Sequence, residues 1–451
     1  MSDRPTPDTG AVPAGVGAAH PGAGAGGPGA GAGGPAPRRV VVTGMEVVTA
    51  LGAGLDATWD GLVAGRSGIR TFVGFDPSRL ASRFGGEVPD FDPGDVVDRK
   101  EQRRNDRFTL FALWCARHAL DAAGLPGRLE RPLAERTGVI VGSGLGGGTT
   151  FVDQVRITDA RGPDRISPFF IPMVIANLAA GQIGIMSGAL GPNFATVSAC
   201  ASGGHAIGEA WEMIRRDDAD VMIAGGTEAP LAESLVASFA AMRALSTRND
   251  DPAAASRPFD AGRDGFVIAE GAAVLILEEL GHAVRRGAPI LAEVVGYAAT
   301  GDASHITLPA PGGEGALRAA RRALAKAGMT PDDVDHVNAH ATSTPEGDRA
   351  ELQAIRSLFG DRVARVSVTA NKSMVGHTLG AAGAIEAVAT IQSLRHGIVP
   401  PTINLVDPDE AGAGMDLTPG TARHRPMRAA ISNSFGFGGQ NSALVFRRWD
   451  A

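Results

Sequence analysis

Two residue types that carry reactive chemistry are scarce in this chain. Its 451 residues include two cysteines, Cys115 and Cys200, and three lysines, Lys100, Lys326 and Lys372. Two cysteines are too few to staple a chain of this size with disulfides, and no CxxC pair is present to bind zinc. The remaining basic residues are arginine. A cysteine or lysine that stands inside a motif is therefore a candidate functional residue.

The charge balance and the hydrophobic pattern exclude further classes. With 42 basic and 49 acidic residues the net charge is −7, which argues against a general nucleic-acid binder. The N-terminus lacks the basic and then apolar pattern of a signal peptide. Residues 166–208 contain no Asp, Glu, Lys or Arg, but proline and asparagine interrupt the stretch before it could span a membrane. We expect no nucleic acid, no membrane and a cytoplasmic setting.

The organisation predicted along the chain is a tail followed by layered α/β structure. Residues 1–37 hold 11 Gly, 7 Pro and 9 Ala, a composition that predicts disorder. Short apolar strands are predicted at 39–44, 137–143, 219–225, 273–278, 291–300, 334–339, 366–370, 429–432 and 442–447. Helical patterns at 108–123, 203–215, 316–327 and 381–395 lie between several of them. This alternation predicts an α/β fold with buried sheets, and a second half that opens again on a strand suggests a duplication.

Cys200 lies where an apolar run meets a helical pattern. Small residues follow it, and Ile207, Ala210, Trp211 and Ile214 then repeat at helical spacing. At a helix N-terminus the macrodipole and free N–H groups favour a thiolate, which predicts a lowered pKa and a nucleophile. A small buried core cysteine is the alternative interpretation.

Two further segments carry histidines. His340 ends a predicted strand and precedes a turn with the hydroxyls of Thr342 and Thr344, which suits either a catalytic imidazole or an ordinary loop. Lys372 precedes His377 by five residues, and a helix of small residues follows. A Walker-type phosphate loop is excluded there because the GKS or GKT ending is missing.

The last segment is a glycine-rich turn at 432–441 with two phenylalanines, Phe435 and Phe437. It could gate a pocket and present N–H groups to an oxyanion, or it could be a hairpin turn with packed aromatics. Taken together, one cysteine, two histidines, one lysine and two glycine-rich turns form an acyl-transfer set. A cysteine protease would need one base and no second histidine with a lysine.

In this order and spacing the four segments resemble the β-ketoacyl-acyl-carrier-protein synthases of the thiolase superfamily, closest to the synthase II type. Motifs at 142–147, 167–170 and 257–266 match as well, and the resemblance covers residues 38–446. It implies a thiolase-like five-layered αβαβα fold built from two similar halves. Residues 38–285 would carry the nucleophile, and residues 286–451 would carry both histidines and the lysine.

The resemblance also implies roles. Cys200 would hold the acyl chain as a thioester, His340 and His377 would stabilise the enolate formed by decarboxylation of malonyl-carrier protein, and Lys372 would pair with Glu386. Backbone N–H groups of Cys200 and Phe437 would form the oxyanion hole, with Phe435 and Phe437 as a gate. Further implied substrate contacts are Thr307, Thr342, Thr344, Leu145 and Phe170, the last reaching across a dimer. Substrates would arrive on the phosphopantetheine of an acyl carrier protein, so no metal or organic cofactor is implied.

Departures from the family pattern bear on the pathway. Ala341 replaces the usual glycine after the first histidine, and Gln440 follows the FGFGG turn where Thr or His is usual. These departures and the unusual tail favour a discrete ketosynthase of a type II polyketide system, with housekeeping fatty-acid elongation as the alternative.

Two other functional hypotheses share part of this pattern. A thiolase would need a second reactive cysteine near 432–441, where Asn433 and Ser434 stand instead. A non-catalytic chain-length-factor subunit would typically lack the nucleophile, which is present here. The enzyme could pair either with itself or with a chain-length-factor-like subunit.

Overall fold

The computed structural model describes residues 37–450, so the predicted disorder of the tail falls outside the described residues apart from Pro37. The strands are β1 Val40–Thr49, β2 Gly52–Ala53, β3 Arg70–Thr71, β4 Phe84–Gly85, β5 Thr137–Gly142, β6 Asn193–Phe194, β7 Val221–Glu228, β8 Gly271–Glu279, β9 Ala292–Gly301, β10 His336–Asn338, β11 Ser367–Thr369, β12 Ile398–Val399, β13 Arg423–His424, β14 Ala429–Gly436 and β15 Gln440–Arg448. All nine strands expected from the hydrophobic pattern are found.

The α-helices surround and separate these strands. They are α1 Leu55–Val63, α2 Arg99–Gln102, α3 Arg107–Ala122, α4 Gly148–Arg161, α5 Phe170–Val174, α6 Leu178–Ser187, α7 Ser202–Arg215, α8 Glu233–Ala241, α9 Leu280–Arg285, α10 Glu314–Ala327, α11 Pro345–Phe359, α12 Lys372–Val375 and α13 Ala382–His396. Within the described residues no helix is long and apolar enough to cross a membrane.

The strand order shows the same arrangement twice. The first half reads β1-β8-β7-β5-β6 and the second reads β9-β15-β14-β10-β11, so that each half has the order first, fifth, fourth, second, third. In each half the first pairings are antiparallel and the last two are parallel. The two halves, called here the first and the second sheet, are joined into one 11-stranded sheet where Val40–Val42 of β1 pairs with β9. This repeat agrees with the expected duplication, while the exact boundary near residue 285 stays a prediction.

Five layers result from this arrangement. Helices α7 and α13 lie between the two sheets, and their apolar side chains share one buried cluster with residues of both. Helices α3 and α6 cover the outer face of the first sheet, and α10 and α11 cover that of the second. Because both faces of each sheet are covered, the strands read as continuous apolar runs. The five-layered thiolase-like fold predicted from the sequence is confirmed.

Candidate active site

A cavity of about 550 Å³ opens beside the start of α7. Most of the residues predicted for the site line it: Cys200, His340, His377, Phe435, Phe437, Thr307, Thr342, Thr344 and Leu145. Lys372 and Glu386 lie behind His340. Lys372 contacts His340 directly, and Glu386 pairs with Lys372. Phe170 is not among the lining residues and instead packs against Phe151, with ring centroids 5.9 Å apart. Its predicted place in a partner's acyl pocket stays a prediction.

The nucleophile candidate is held in a tight turn just before α7. Ala199 adopts a φ of 49°, a left-handed conformation that costs an L-residue about 1 kcal/mol or more. The turn is closed by Ser202, whose hydroxyl accepts from the Ser198 N–H at 2.9 Å and donates to the Ala199 carbonyl at 2.6 Å. Gly436 allows the neighbouring hairpin to approach, because a Cβ there would lie 2.6 Å from the Ser198 carbonyl. The turn therefore sets Cys200 against the cavity floor.

The ionisation of Cys200 differs from the sequence expectation. Cys200 stands before the N-terminus of α7 as predicted, but burial raises the pKa of its thiol to about 12. The Lys372 charge and the backbone N–H groups of Phe437 and Cys200 lower this pKa, and Glu228 raises it. Because the effect of burial is larger than that of these stabilising groups, the predicted lowering of the Cys200 pKa is wrong. The resting residue is a thiol, and it needs a base to become a nucleophile.

That base is within reach. Nε2 of His377 lies 3.0 Å from the Cys200 sulfur. Burial, and secondly the Lys372 charge, hold the pKa of His377 well below its usual range, so the imidazole is neutral and can accept a proton. The backbone of His377 is fixed by hydrogen bonds to Val267 and Ala269. Its Nδ1 is buried without a partner among the described residues, so no contact fixes its tautomer.

The second histidine faces the first across the cavity. The rings of His340 and His377 are 5.4 Å apart and nearly perpendicular. Burial also holds the pKa of His340 well below its usual range. The Lys372 ammonium lies 3.4 Å from Nδ1 of His340, and since an ammonium only donates, Nδ1 accepts and the proton resides on Nε2. His340 therefore presents an N–H donor to the cavity.

Lys372 is the buried charge behind this pair. It donates to the His340 carbonyl at 2.6 Å and pairs with Glu386, and both side chains of the ion pair are about 2% exposed. Burial raises the pKa of Glu386 to about 7, against the lowering effect of Lys372. The predicted Lys372–Glu386 partnership is present in the structure, and it holds His340 in place.

Three buried carboxylates around the cavity were not predicted from the sequence. Glu351 on α11 accepts from the N–H of His340 at 2.9 Å and of Ala341 at 2.7 Å, fixing the histidine's backbone. Asp348 accepts from the Ser343 N–H at 3.0 Å and so anchors the turn that bears the hydroxyls; burial raises its pKa to about 7. Glu228, at the end of β7, is the third. Their sequence signal is weak, because an acid on a helix or strand end is usually solvated.

The departure at Ala341 has a structural cost. Its φ is 34°, in the left-handed region that favours the glycine usual in the family. The bond from its N–H to Glu351 holds it there. Gln440 makes no side-chain hydrogen bond among the described residues and opens β15 at the base of the hairpin.

Comparisons with known proteins match nearly the whole described chain to one family. Residues 37–283 match the N-terminal domain of the beta-ketoacyl synthases, and residues 291–406 match the C-terminal domain. The 3-oxoacyl-[acyl-carrier-protein] synthase 2 of Synechocystis sp. is 49% identical over 91% of this chain and 98% of its own length. The synthase 2 of Staphylococcus aureus is 47% identical over 92% of this chain and 99% of its own length.

A solved structure gives the same answer for the fold. The match is a chain in the structure of a type II PKS acyl-carrier protein in complex with its ketosynthase. It superposes with a TM-score of 0.83 at 34% identity, and the match covers 92% of this chain and all of the matched one. With both family domains matched, close relatives at nearly full length and a cysteine and two histidines around one cavity, the chain belongs to the β-ketoacyl synthase family, the acyltransferase-class condensing enzymes.

Proposed function

We propose that this enzyme loads an acyl chain on Cys200 and extends it with malonyl units carried by an acyl carrier protein. The observation that carries the proposal is the 3.0 Å contact between the Cys200 sulfur and Nε2 of His377 at the floor of the cavity. Around the same sulfur, the backbone N–H groups of Cys200 and Phe437 are available to a developing oxyanion. Thiol, base and oxyanion donors are the parts that acyl transfer needs.

In the loading step, the Cys200 thiol passes its proton to His377 and the sulfur attacks the incoming thioester carbonyl. The tetrahedral oxyanion accepts from the N–H groups of Cys200 and Phe437. Its collapse releases the pantetheine thiolate, which takes the proton back from His377. One thioester bond breaks and one forms, so no co-reactant is needed.

In the condensation step, malonyl-carrier protein loses CO2 and leaves an enolate, whose oxygen accepts from Nε2–H of His340. His377 donates a second hydrogen bond to this oxygen from Nε2. This tautomer is allowed because its Nδ1 has no hydrogen-bond partner among the described residues. The enolate carbon attacks the Cys200 thioester, the new carbon–carbon bond forms, and the sulfur leaves as a thiolate. One proton taken up from water restores the thiol, which balances the loss of neutral CO2 from the malonyl carboxylate. Burial of both imidazoles favours their neutral forms, so each can donate without carrying charge.

For the pathway, we propose fatty-acid elongation. The relatives at 47–49% identity are named 3-oxoacyl-[acyl-carrier-protein] synthase 2, whereas the type II PKS ketosynthase is 34% identical. This supports the alternative of the sequence analysis better than its preference for polyketide extension. Polyketide extension is the second candidate. It is favoured by the match of the fold to the structure of a ketosynthase in complex with its type II PKS acyl-carrier protein.

An acyl carrier protein is the proposed partner, since the named relatives act on substrates so carried. The chemistry is thioester exchange and decarboxylation, for which we propose no metal or organic cofactor. A free thiol nucleophile suits a reducing cytoplasm, which is the location we propose.

We also propose that the enzyme is a homodimer. Helices α4, α5 and α6 and strand β6 adjoin one another and leave large apolar side chains exposed. These exposed residues are Phe151, Ile171, Ile185 and Phe194, and Val197 in the segment after β6 is exposed as well. An apolar surface of this extent marks a protein interface, and Phe170 lies within it beside Phe151. Light scattering should give twice the chain mass. A monomer that dimerises only with a chain-length-factor-like subunit would point to the heterodimer instead.

The pathway is tested by incubating the enzyme with saturated acyl-carrier protein and excess malonyl-carrier protein, without any reductase. A fatty-acid elongation enzyme should stop after one condensation and yield a 3-oxoacyl product. The reason is that its cavity accepts reduced chains, and without a reductase the 3-oxoacyl product cannot be reduced. Mass spectrometry of the carrier protein separates this from the series of poly-β-keto products that the second candidate would give. Absence of both products would contradict the proposed function.

A further inference from the structure

Glu228 ends strand β7 as a carboxylate sealed inside the protein beside the active site. Its side chain is 0% exposed and has no cationic partner among the described residues. Four donors surround it instead. Oε1 accepts from the Ser143 hydroxyl at 2.9 Å and the Leu145 N–H at 3.1 Å, and Oε2 accepts from the N–H groups of Gly144 at 2.7 Å and Gly380 at 2.9 Å. Burial raises the pKa of Glu228, and these four donors act against that rise because they stabilise the carboxylate form.

These donors come from two separate parts of the cavity wall. Ser143, Gly144 and Leu145 follow β5 and carry the predicted acyl-pocket wall. Gly380 follows His377 in a turn where Leu379 takes a φ of 46°, and both His377 and Leu379 line the cavity. One side chain therefore ties the pocket wall to the segment that carries the base.

Glycines in two sequence motifs make room for this arrangement. A Cβ on Gly380 would lie 2.4 Å from the Gly144 nitrogen and 2.6 Å from Oε2 of Glu228. A Cβ on Gly144 would lie 2.9 Å from the same oxygen. Real Cβ atoms do not approach this closely, so neither position tolerates a side chain without displacing the carboxylate or the backbone around it. The glycines thus serve the close packing of backbone around Glu228.

We infer that Glu228 is a positioning residue, which holds the Leu145 loop and the His377 turn in register on either side of Cys200 and places its carboxylate between them. The inference rests on the proposed role of Cys200 and deepens it. The charged or titratable groups around Cys200 are His377 and His340 in the cavity, Lys372 behind His340, and Glu228. Burial is the main cause of the raised pKa of the Cys200 thiol, and the charge of Glu228 adds to it.

Glu228→Gln tests the charge while keeping the size. In the variant, the amide oxygen can take the place of Oε2 and accept from the N–H groups of Gly144 and Gly380. The amide nitrogen takes the place of Oε1 and can donate to the Ser143 hydroxyl. The hydrogen bond that is lost is therefore the one from the Leu145 N–H. Alkylation of Cys200 by iodoacetamide, followed as a function of pH, reports the thiolate population. Loss of the charge should move the profile to lower pH by ~0.5 unit, which makes alkylation at pH 8 about threefold faster.

The matched control is Glu278→Gln on the neighbouring strand β8. Glu278 is equally buried but pairs with Arg286, far from the cavity wall. Its replacement should lower the melting temperature and leave the alkylation profile unchanged. Equal displacement of the profile by both variants would show a general loosening of the fold and would overturn the assigned role.

A second variant guards against misfolding of the first. Ser143→Ala removes one donor to Glu228 and the acceptor for the Gly146 N–H, without touching any charge. It should leave the alkylation profile in place but broaden the distribution of product chain lengths, because the Leu145 loop loses support. If Glu228→Gln leaves the profile unmoved and Ser143→Ala leaves the products unchanged, Glu228 has no positioning role. Failure of the wild type to acylate Cys200 would instead contradict the proposed function.

Discussion

Removing the Lys372 charge should separate the structural from the catalytic contribution of the buried ion pair. Lys372→Met leaves Glu386 buried without its counter-charge, and Oε2 of Glu386 already lacks a partner within residues 37–450. The substitution also removes the 2.6 Å bond to the His340 carbonyl. Breaking one side of a buried pair costs ~3–5 kcal/mol. For the 414 described residues, an unfolding entropy of ~2.1 cal/mol/K per residue gives ~0.87 kcal/mol/K, so the melting temperature should fall by ~3–6 °C.

The pH dependence of this loss has a definite sign. Burial raises the pKa of Glu386 to about 7, so its contribution to stability is complete below the unfolded value near 4.5 and is lost as pH rises through 7. Without Lys372, which lowers that pKa, the loss extends to higher pH. The deficit of Lys372→Met relative to the wild type should therefore be larger at pH 8 than at pH 6. Differential scanning calorimetry at both pH values measures it.

The double variant Lys372→Met with Glu386→Gln is the decisive comparison. Neutralising both partners removes the uncompensated charge, so the double variant should recover at least ~2 kcal/mol relative to Lys372→Met alone. Condensation should stay impaired in both, because His340 loses the ammonium that fixes its tautomer. Additive destabilisation, or a single variant as stable as the wild type, would refute the coupling between the two residues.

Three further predictions test individual positions. His340→Ala should leave acyl loading largely intact, because loading uses His377, and should slow malonyl decarboxylation at least ~100-fold. Release of radiolabelled CO2 measures the decarboxylation step. Equal loss of both steps would count against this division of roles. Leu145→Phe should shorten the products by filling the acyl pocket, and an unchanged product profile would remove Leu145 from the wall. Ala341→Gly should stabilise the fold by up to ~1 kcal/mol, because it relieves a φ of 34°; a lower melting temperature would show that the methyl group's packing outweighs the strain.

The layers of the fold follow from the sequence because strands buried on both faces have a simple signature. The nine apolar runs became strands of the two sheets, and the helices with clear periodicity formed where expected. Strand order, by contrast, depends on which sheet edges meet, and a two-residue strand such as β6 has too little pattern to detect. The helix α11 after Pro345 also went unnoticed, since its charged residues obscure the apolar face.

The site was predictable where residue type and motif coincide. Cys200, His340, His377 and Lys372 carry chemistry that few other residues could supply, and the structure gathers them around one cavity. The ionisation of the thiol was not predictable, because the helix terminus is visible in the sequence and the degree of burial is not. Buried carboxylates such as Glu351 and Glu228 were missed for the same reason, since their function lies in contacts with backbone groups distant in sequence.

The central claim is that Cys200 is the residue that becomes acylated, with His377 as its base. The most direct measurement is mass spectrometry of the enzyme after incubation with an acyl-carrier protein and no malonyl donor. The wild type should gain one acyl group on the peptide that contains Cys200, His377→Ala should gain it far more slowly, and Cys200→Ala should gain none. An acyl group on Cys115, or one retained by Cys200→Ala, would contradict the account.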